Sequence, residues 1–313
     1  MDRQPLAKTK IAVVVPCYNE EVAIGQVVTD FRQALPGAEI HVFDNNSSDR
    51  TSEIAAEHGA IVHFVELRGK GNVVRRIFAD VDADFYVMID GDATYDAPSA
   101  PALLALAREK GLDMVVGCRK HEDAAAYRAG HQFGNRMLTT TVLRLFGGKF
   151  TDMLSGYRVF SRRFAKSFPA MAKGFETETE LTVHALELRM PYGEMITPYY
   201  ARPEGSTSKL STYRDGWRIL KTIGKLFVLE RPLHMAWAFA GALLLGSIIL
   251  AVPLLQTYLQ TGLVPRLPTA LLSTGMVLLA AVISVAGVVL HATTVARREV
   301  KRLAYLALPP PGA

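Results

Sequence analysis

The stretch YVMIDGDATYD, Tyr86 to Asp96, closes an apolar run with two carboxylates, Asp90 and Asp92, set one residue apart around Gly91. The residues leading into it, Phe85 to Ile89, are apolar without alternation, as in a strand covered on both faces. Two acids where such a strand leaves the core call for something positive to be held there.

The same pattern recurs along the first half of the chain. Ile11 to Val15, Glu39 to Phe43, Ile61 to Val65 and Met114 to Val116 also read as buried strands. Helix-length segments begin near Glu20, Asp49, Gly69 and Pro98. This order predicts an open, doubly wound, mostly parallel α/β sheet. Ligands of such sheets sit beyond the carboxyl ends of the strands. Polar motifs fall there in turn: PCYNEE, DNNSSD, RGKG, DGD and GCR. Further on, a helix is expected over about Gly130 to Phe146, a strand near Gly156 to Phe160, a helix over about Thr177 to Leu188 and a strand near Glu194 to Tyr199.

The last third differs. Leu233 to Leu255 and Leu267 to Leu290 carry only His234 as an ionisable group, and each is long enough to cross a bilayer, since ~20 apolar residues at ~1.5 Å rise span the ~30 Å hydrocarbon core. Arg214, Arg218, Lys221, Lys225 and Arg231 precede the first run, and Arg297, Arg298, Lys301 and Arg302 follow the second. Both termini and the soluble domain are therefore expected in the cytoplasm, with a short outer loop. The expected plan is a tail over 1–9, a catalytic domain over 10–210, an amphipathic juxtamembrane helix over 211–231, two transmembrane helices within 232–296 and a basic cytoplasmic tail over 297–313. The formal charge of +5 comes largely from the flanking clusters, pointing to an anionic membrane surface and away from nucleic acid. Cys17 and Cys118 read as free thiols of a reducing compartment.

Asp90 and Asp92 suit one hard divalent cation, Mg2+ or Mn2+, which takes one or two carboxylates and completes its shell with water and substrate phosphates. Pro16, Tyr18 and Glu20 offer a rigid backbone, an aromatic face and an acceptor for ribose hydroxyls. Asp44 and Asn45 could read a base edge, and the DNNSSDRT run that holds them also contains candidates to cap the next helix. RGKGN puts Lys70 and two glycines at a helix start, where free backbone N–H groups and the helix dipole favour phosphate.

Taken together, VVVPCYNE, DNNSSDRT, RGKGN, DGDAT, DMLSGYRVF and RPEGSTSKL resemble glycosyltransferase family 2, in the branch of polyprenyl-phosphate sugar synthases that includes dolichyl-phosphate mannose synthase. The resemblance implies a GT-A-type fold and transfer of a sugar, with inversion, from a nucleotide sugar to polyprenyl phosphate at the cytoplasmic face of the cell inner membrane. UDP-hexose or UDP-HexNAc is expected ahead of GDP-mannose. It assigns Pro16, Tyr18, Glu20, Asp44, Asn45, Lys70 and Gly91 to the nucleotide, and Asp90 and Asp92 to the metal. Thr94 stands where some members carry a further ligand, Gln. Arg119, Arg128, Arg202 and Lys209 match basic groups around the phosphates, and Asp152, Ser155, Arg158 and Ser208 match the acceptor side. A homo-oligomer is compatible with the family.

Two other readings keep different chemistry in view. A hydroxyl acceptor would need a general base, for which Glu176, Glu178 and Glu180 in FETETEL are the candidates. A non-catalytic scaffold on a degenerate transferase fold would show broken motifs, whereas here the acids, glycines and arginines occur together.

Overall fold

The computed structural model describes residues 9–121, 129–172, 174, 176–205 and 212–311. They group into two compact units, one of Met1–Ile223 with Val300–Ala313 and one of Gly224–Glu299.

Among the described residues the first unit has seven strands, β1 (Ile11–Cys17), β2 (Glu39–Asp44), β3 (Ile61–Phe64), β4 (Phe85–Met88), β5 (Met114–His121), β6 (Arg158–Ser161) and β7 (Tyr192–Tyr199). They form one sheet in the order β3-β2-β1-β4-β6-β5-β7. All ladders are parallel except the two made by β6, which runs antiparallel between β4 and β5. Arg158, its first residue, pairs with Met88 on one side and Val116 on the other. The loop entering β6 therefore lies at the edge where β4 and β5 end.

Helices α1 (Ile24–Ala34), α2 (Thr51–Glu57), α3 (Lys70–Asp80), α4 (Ala100–Glu109), α5 (Ala129–Phe146), α6 (Arg162–Ser167) and α7 (Thr177–Glu187) complete this unit's α/β order. Strand alternation sends Ala12 and Val14 to a core shared with Val73, Ile77, Phe164 and Leu181, and Val13 and Val15 to a second core with Val28, Phe31, Leu103 and Ala107. Both faces of the sheet are thus dry, which is why its central strands read as unbroken apolar runs. Each fully buried Val, Leu, Ile or Phe side chain stabilises by about 1.5–3 kcal/mol. Helix α6 was not anticipated: it has only six residues, too few to show a period, and is started by Ser161, whose Oγ accepts from Phe164 N at 3.2 Å.

His184 sits inside α7 against Phe164 and Phe168, with Nε2 3.2 Å from Ser167 Oγ. Burial, aided by the Lys301 ammonium, pushes its imidazole down to about 3. The unfolded chain takes up that proton near pH 6.5 and the folded one does not, so this contribution to stability is complete above pH 6.5 and is lost as pH falls towards 3. Going from pH 7 to pH 5 is expected to cost about 2 kcal/mol through this residue. The check is the denaturation midpoint against pH, whose slope should flatten in a His184→Gln protein.

Helix α10 (Leu267–Leu306) extends well past its apolar portion, and from Val300 onward it belongs to the first unit. Lys301 Nζ is 2.8 Å from Glu187 Oε2 and Tyr305 donates to Asp113 Oδ2 at 2.7 Å. Arg163 grips the same Asp113 with Nε and Nη2, at 2.6 and 2.9 Å, and lies over the Tyr305 ring. The segment read from sequence as a basic tail is helical as far as Leu306 because these contacts order it.

The second unit contains α9 (Pro232–Thr261), the apolar part of α10 and the last turns of α8 (Thr212–Glu230). Both α9 and α10 are long and apolar enough to cross a membrane, with mean hydropathies of 2.4 and 2.3 over their most apolar windows. Beyond Pro232 at the start of α9, their buried positions are small: Ala240 and Ser247 on α9, and Ser273, Ala280, Gly287 and Thr294 on α10, seven residues apart within each helix. Small residues at that interval let two helices approach closely, as membrane helices do. Ser247 and Ser273 hydrogen-bond each other's hydroxyl, at 2.9 Å, and backbone carbonyl. Large side chains such as Leu245, Ile249, Leu271 and Val285 face outward. Glu230, buried, accepts from Arg297 at 2.8 Å and Arg298 at 3.2 Å.

Along α8 the apolar residues divide. Ile219 and Ile223, one turn apart, are buried, whereas Trp217 is exposed with the Lys221 ammonium over its ring.

Candidate active site

A cavity of about 430 Å³ opens over the carboxyl edge of the sheet. It is lined by the turns after β1, β2, β3 and β4, and by the ends of β5 and β7. Asp90 and Asp92 sit at its floor. The Asp90 side chain is 30% exposed and that of Asp92 6%. Burial and the neighbouring Asp90 charge hold the Asp92 carboxyl above the usual range, against the pull of Arg202 and Thr94. Arg202 Nη2 is 2.6 Å from Asp92 Oδ2, and Thr94 donates to Asp92 Oδ1 through its hydroxyl at 2.6 Å. Thr94 is therefore placed to orient Asp92. Lys70, the first residue of α3, reaches Asp90 Oδ1 and stands 2.6 Å from Glu178 Oε1. Burial works to deprotonate Lys70, but Asp90 and Glu178 outweigh it and hold the ammonium well above its ordinary value.

Two glycines leave room for this arrangement. A Cβ on Gly91 would collide with Cys17 Sγ, and one on Gly156 would stand 2.5 Å from Asp90 Oδ2. Gly156 N in turn donates to Tyr95 Oη at 2.8 Å. The loop before β6 thus closes against the acids after β4.

The nucleotide-side residues divide into two groups. Pro16, Tyr18 and Glu20 line the cavity, and the Arg68 guanidinium lies 5.1 Å from the Tyr18 ring centre. Asp44 does not line it; this buried carboxylate accepts from Ser47 N at 3.1 Å and Ser52 Oγ at 2.6 Å. Asn45 is buried at its rim, donating to the carbonyls of Val65 and Leu67 and accepting from Gly69 N at 2.6 Å. Its amide is engaged by backbone, so it shapes the loop that presents Lys70. Gly69 allows that loop its turn at φ +121°.

The basic and acceptor-side candidates also separate. Arg119, at the cavity wall, makes a two-pronged ion pair with Asp152 at 2.7 Å on each oxygen. Asn135 adds a third bond to Asp152, at 2.8 Å. Burial pushes the Asp152 carboxyl up, but these partners bring it below its ordinary range. Ser155 and Arg158, expected to face an acceptor, are fully buried away from the cavity. Ser155 Oγ donates to Gly117 O at 2.6 Å. Arg158 donates to the carbonyls of Ser155 and Met153 and to Thr182 Oγ1. They brace the loop from inside. Arg128, Ser208 and Lys209 lie outside the described residues.

Several lining residues were not singled out from sequence: Arg68, Tyr95, Asn135, Leu154, Tyr199 and Ile219. The strand-end rule pointed to Tyr95 and Tyr199, which follow β4 and end β7. Asn135 and Ile219 come from helices, which that rule does not reach.

The donors suit a hard divalent cation. Asp90 and Asp92 supply oxygens, while burial and then Glu20, Asp44, Asp90 and Asp92 raise the Cys17 thiol well above its usual range and keep it protonated. Among the described residues no three such side chains converge, so the shell is incomplete without oxygens from elsewhere.

Comparison with known proteins agrees with this geometry. Residues 12–168 match the family model "Glycosyl transferase family 2". The glycosyltransferase AglJ of Haloferax volcanii is 33% identical over 71% of this chain and 74% of its own length. A dolichyl-phosphate hexose transferase of the same organism is 30% identical over 71% of this chain and 95% of its own. Among solved structures, glucosyl-3-phosphoglycerate synthase of Mycobacterium tuberculosis in complex with Mn2+, UDP-glucose and phosphoglyceric acid superposes with a TM-score of 0.57 at 21% identity, covering 72% of this chain and 85% of that one. At that identity the likeness is one of fold. Strand-end motifs, sheet and relatives converge: the chain is a glycosyltransferase and belongs to glycosyl transferase family 2.

Proposed function

We propose that this enzyme transfers a sugar from a nucleotide sugar, with a UDP-hexose or UDP-HexNAc favoured, to polyprenyl phosphate, with inversion at the anomeric carbon. The observation that carries the reading is the composition of this cavity: the Asp90–Asp92 pair meets Arg68, Lys70, Arg119 and Arg202, a surround suited to two phosphate-bearing substrates. The relative named a dolichyl-phosphate hexose transferase and the two apolar helices support the lipid side.

Asp90 and Asp92 would hold Mg2+ or Mn2+, with phosphate oxygens of the donor completing the shell. Mn2+ accompanies UDP-glucose in the fold relative. When bound, the cation supplies Lewis-acid stabilisation of the departing diphosphate. Tyr18, with Glu20 nearby, would take the nucleoside. Lys70, held on the first turn of α3, would face the diphosphate. Arg119, fixed by Asp152, would orient the acceptor phosphate. An oxygen of that phosphate forms the bond to C1 as the bond from C1 to the diphosphate oxygen breaks, and the leaving group keeps the electron pair. No proton need be removed, since a phosphate monoester is already about −1.5 to −2 in charge near pH 7.

The hydroxyl-acceptor alternative draws less support. Glu178 is tied to Lys70, and Glu180 accepts from the backbone N–H groups of Met171 and Ala172, at 2.9 and 2.7 Å. Glu176 does not line the cavity, so none of the three acids stands ready there as a base. The outward-facing α9 and α10 would anchor the enzyme in the cell inner membrane with the sheet on the cytoplasmic side, where Trp217 and the basic residues of α8 suit the headgroup layer.

The test is to incubate the purified full chain with Mn2+, a short polyprenyl phosphate and a panel of nucleotide sugars, and to weigh the lipid product. One sugar joined through a phosphodiester is the expected result. Transfer to lipid or glycan hydroxyls, with none to the phosphate, would overturn it.

A further inference from the structure

Each acid of the Asp90–Asp92 pair shares a cation with a second acid outside the pair. Lys70 Nζ bonds Asp90 and, at 2.6 Å, Glu178. Arg202 Nη2 is 2.6 Å from Asp92, and its Nη1 is 3.8 Å from Glu20. The Lys70 side chain is 9% exposed and that of Glu178 6%, so this ammonium cannot trade its partners for bulk water.

We propose that Lys70 and Arg202 are displaceable counter-ions of the aspartate pair, competing with the divalent cation for the same carboxylate oxygens and released to the donor diphosphate when it binds. The proposal rests on the donor-and-cation reading above and adds that metal and nucleotide depend on each other for affinity. The reason is charge. A divalent ion on Asp90 and Asp92 meets two positive side chains already seated there, and like charges at contact distance repel strongly where water is scarce. Glu178 and Glu20 keep a partner on each displaced side chain, so neither is left as an orphaned buried charge during the exchange. What those acids lack is room for both a cation and full pairing of the lysine and arginine; a diphosphate supplies the missing negative charge at the same place. Lys70 opens α3, whose first N–H groups favour the same anion. Coupling of this kind is reciprocal: the nucleotide tightens the metal by the factor by which the metal tightens the nucleotide.

The test uses the full chain in detergent and free Mn2+ measured by its EPR signal, with and without saturating UDP or GDP. For the unmodified enzyme, Mn2+ affinity should rise about tenfold or more when the nucleotide is present. Lys70→Met removes one competitor, so Mn2+ alone should bind about tenfold tighter and the nucleotide's enhancement should shrink. Arg202→Gln, at a more exposed position, should act in the same direction and stands in if Lys70→Met does not fold. Glu178→Gln removes the lysine's other acid and concentrates it on Asp90, so Mn2+ alone should bind more weakly. Mere damage to the site would weaken binding in all three. Variants that all shift one way, or not at all, while the unmodified enzyme binds Mn2+ with nucleotide, overturn the counter-ion proposal alone. An unmodified enzyme that binds no Mn2+ with either nucleotide overturns the donor-and-cation reading along with it.

Discussion

Asp92→Asn should lower sugar transfer by about a thousandfold while the protein still folds, on the scale seen when one preorganised charge-stabilising group is removed from an active site. The substitution is nearly isosteric. An Asn oxygen can still accept from the Thr94 hydroxyl, now 2.6 Å from Asp92 Oδ1, so local geometry has reason to persist. What disappears is the charge that faces Arg202 and, in the proposed reaction, the charge that retains the cation. Stability should change little, because a buried carboxylate already disfavoured by burial and by Asp90 is replaced with a neutral group. Turnover with each nucleotide sugar and a thermal melt on the same sample make the check. A variant within a few-fold of the parent rate would remove the aspartate pair from the mechanism.

The second large effect is expected at a residue with no functional group. Gly156→Ala places a methyl 2.5 Å from Asp90 Oδ2 and 3.2 Å from the Tyr95 hydroxyl. The carboxylate must move, and a displacement near 1 Å in a positioned catalytic group costs about a hundredfold in rate. Folding should survive, since the clash falls on a side-chain end at the cavity floor. Gly134→Ala is the matched control: its Cβ meets nothing within 4 Å, and alanine within α5 should be neutral or stabilising by up to about 1 kcal/mol. The kcat/KM of the two variants should therefore differ by about the whole hundredfold.

The parallel strands were legible in the sequence because a sheet covered on both faces leaves continuous apolar runs, and the motifs after them were legible because such a sheet uses one edge. Other features were hidden for physical reasons. Periodicity does not report lateral order, so the insertion of β6 between β4 and β5, which brings Gly156 to Asp90, could not be read from GYRVF. Arg158 looked like a polar group available to a substrate. Its burial depends on the carbonyls of Met153 and Ser155 and on Thr182, partners brought together only by the fold. Asn45 likewise looked free to read a base, because a side-chain amide reveals nothing about which backbone will meet it. Glu178 was weighed as a base, and its pairing with Lys70 from α3 is a contact between distant segments that no local pattern encodes.

The return of α10 to the first unit bears on how this enzyme can be dissected. Its α/β unit is discontinuous in sequence, interrupted by Gly224–Glu299. Truncation after Ile223 would strip Asp113 of the Tyr305 hydroxyl and Glu187 of the Lys301 ammonium, leaving a wounded fragment. A synthetic peptide spanning Val300 to Pro311 should re-anneal to that fragment and heal it, as in fragment complementation.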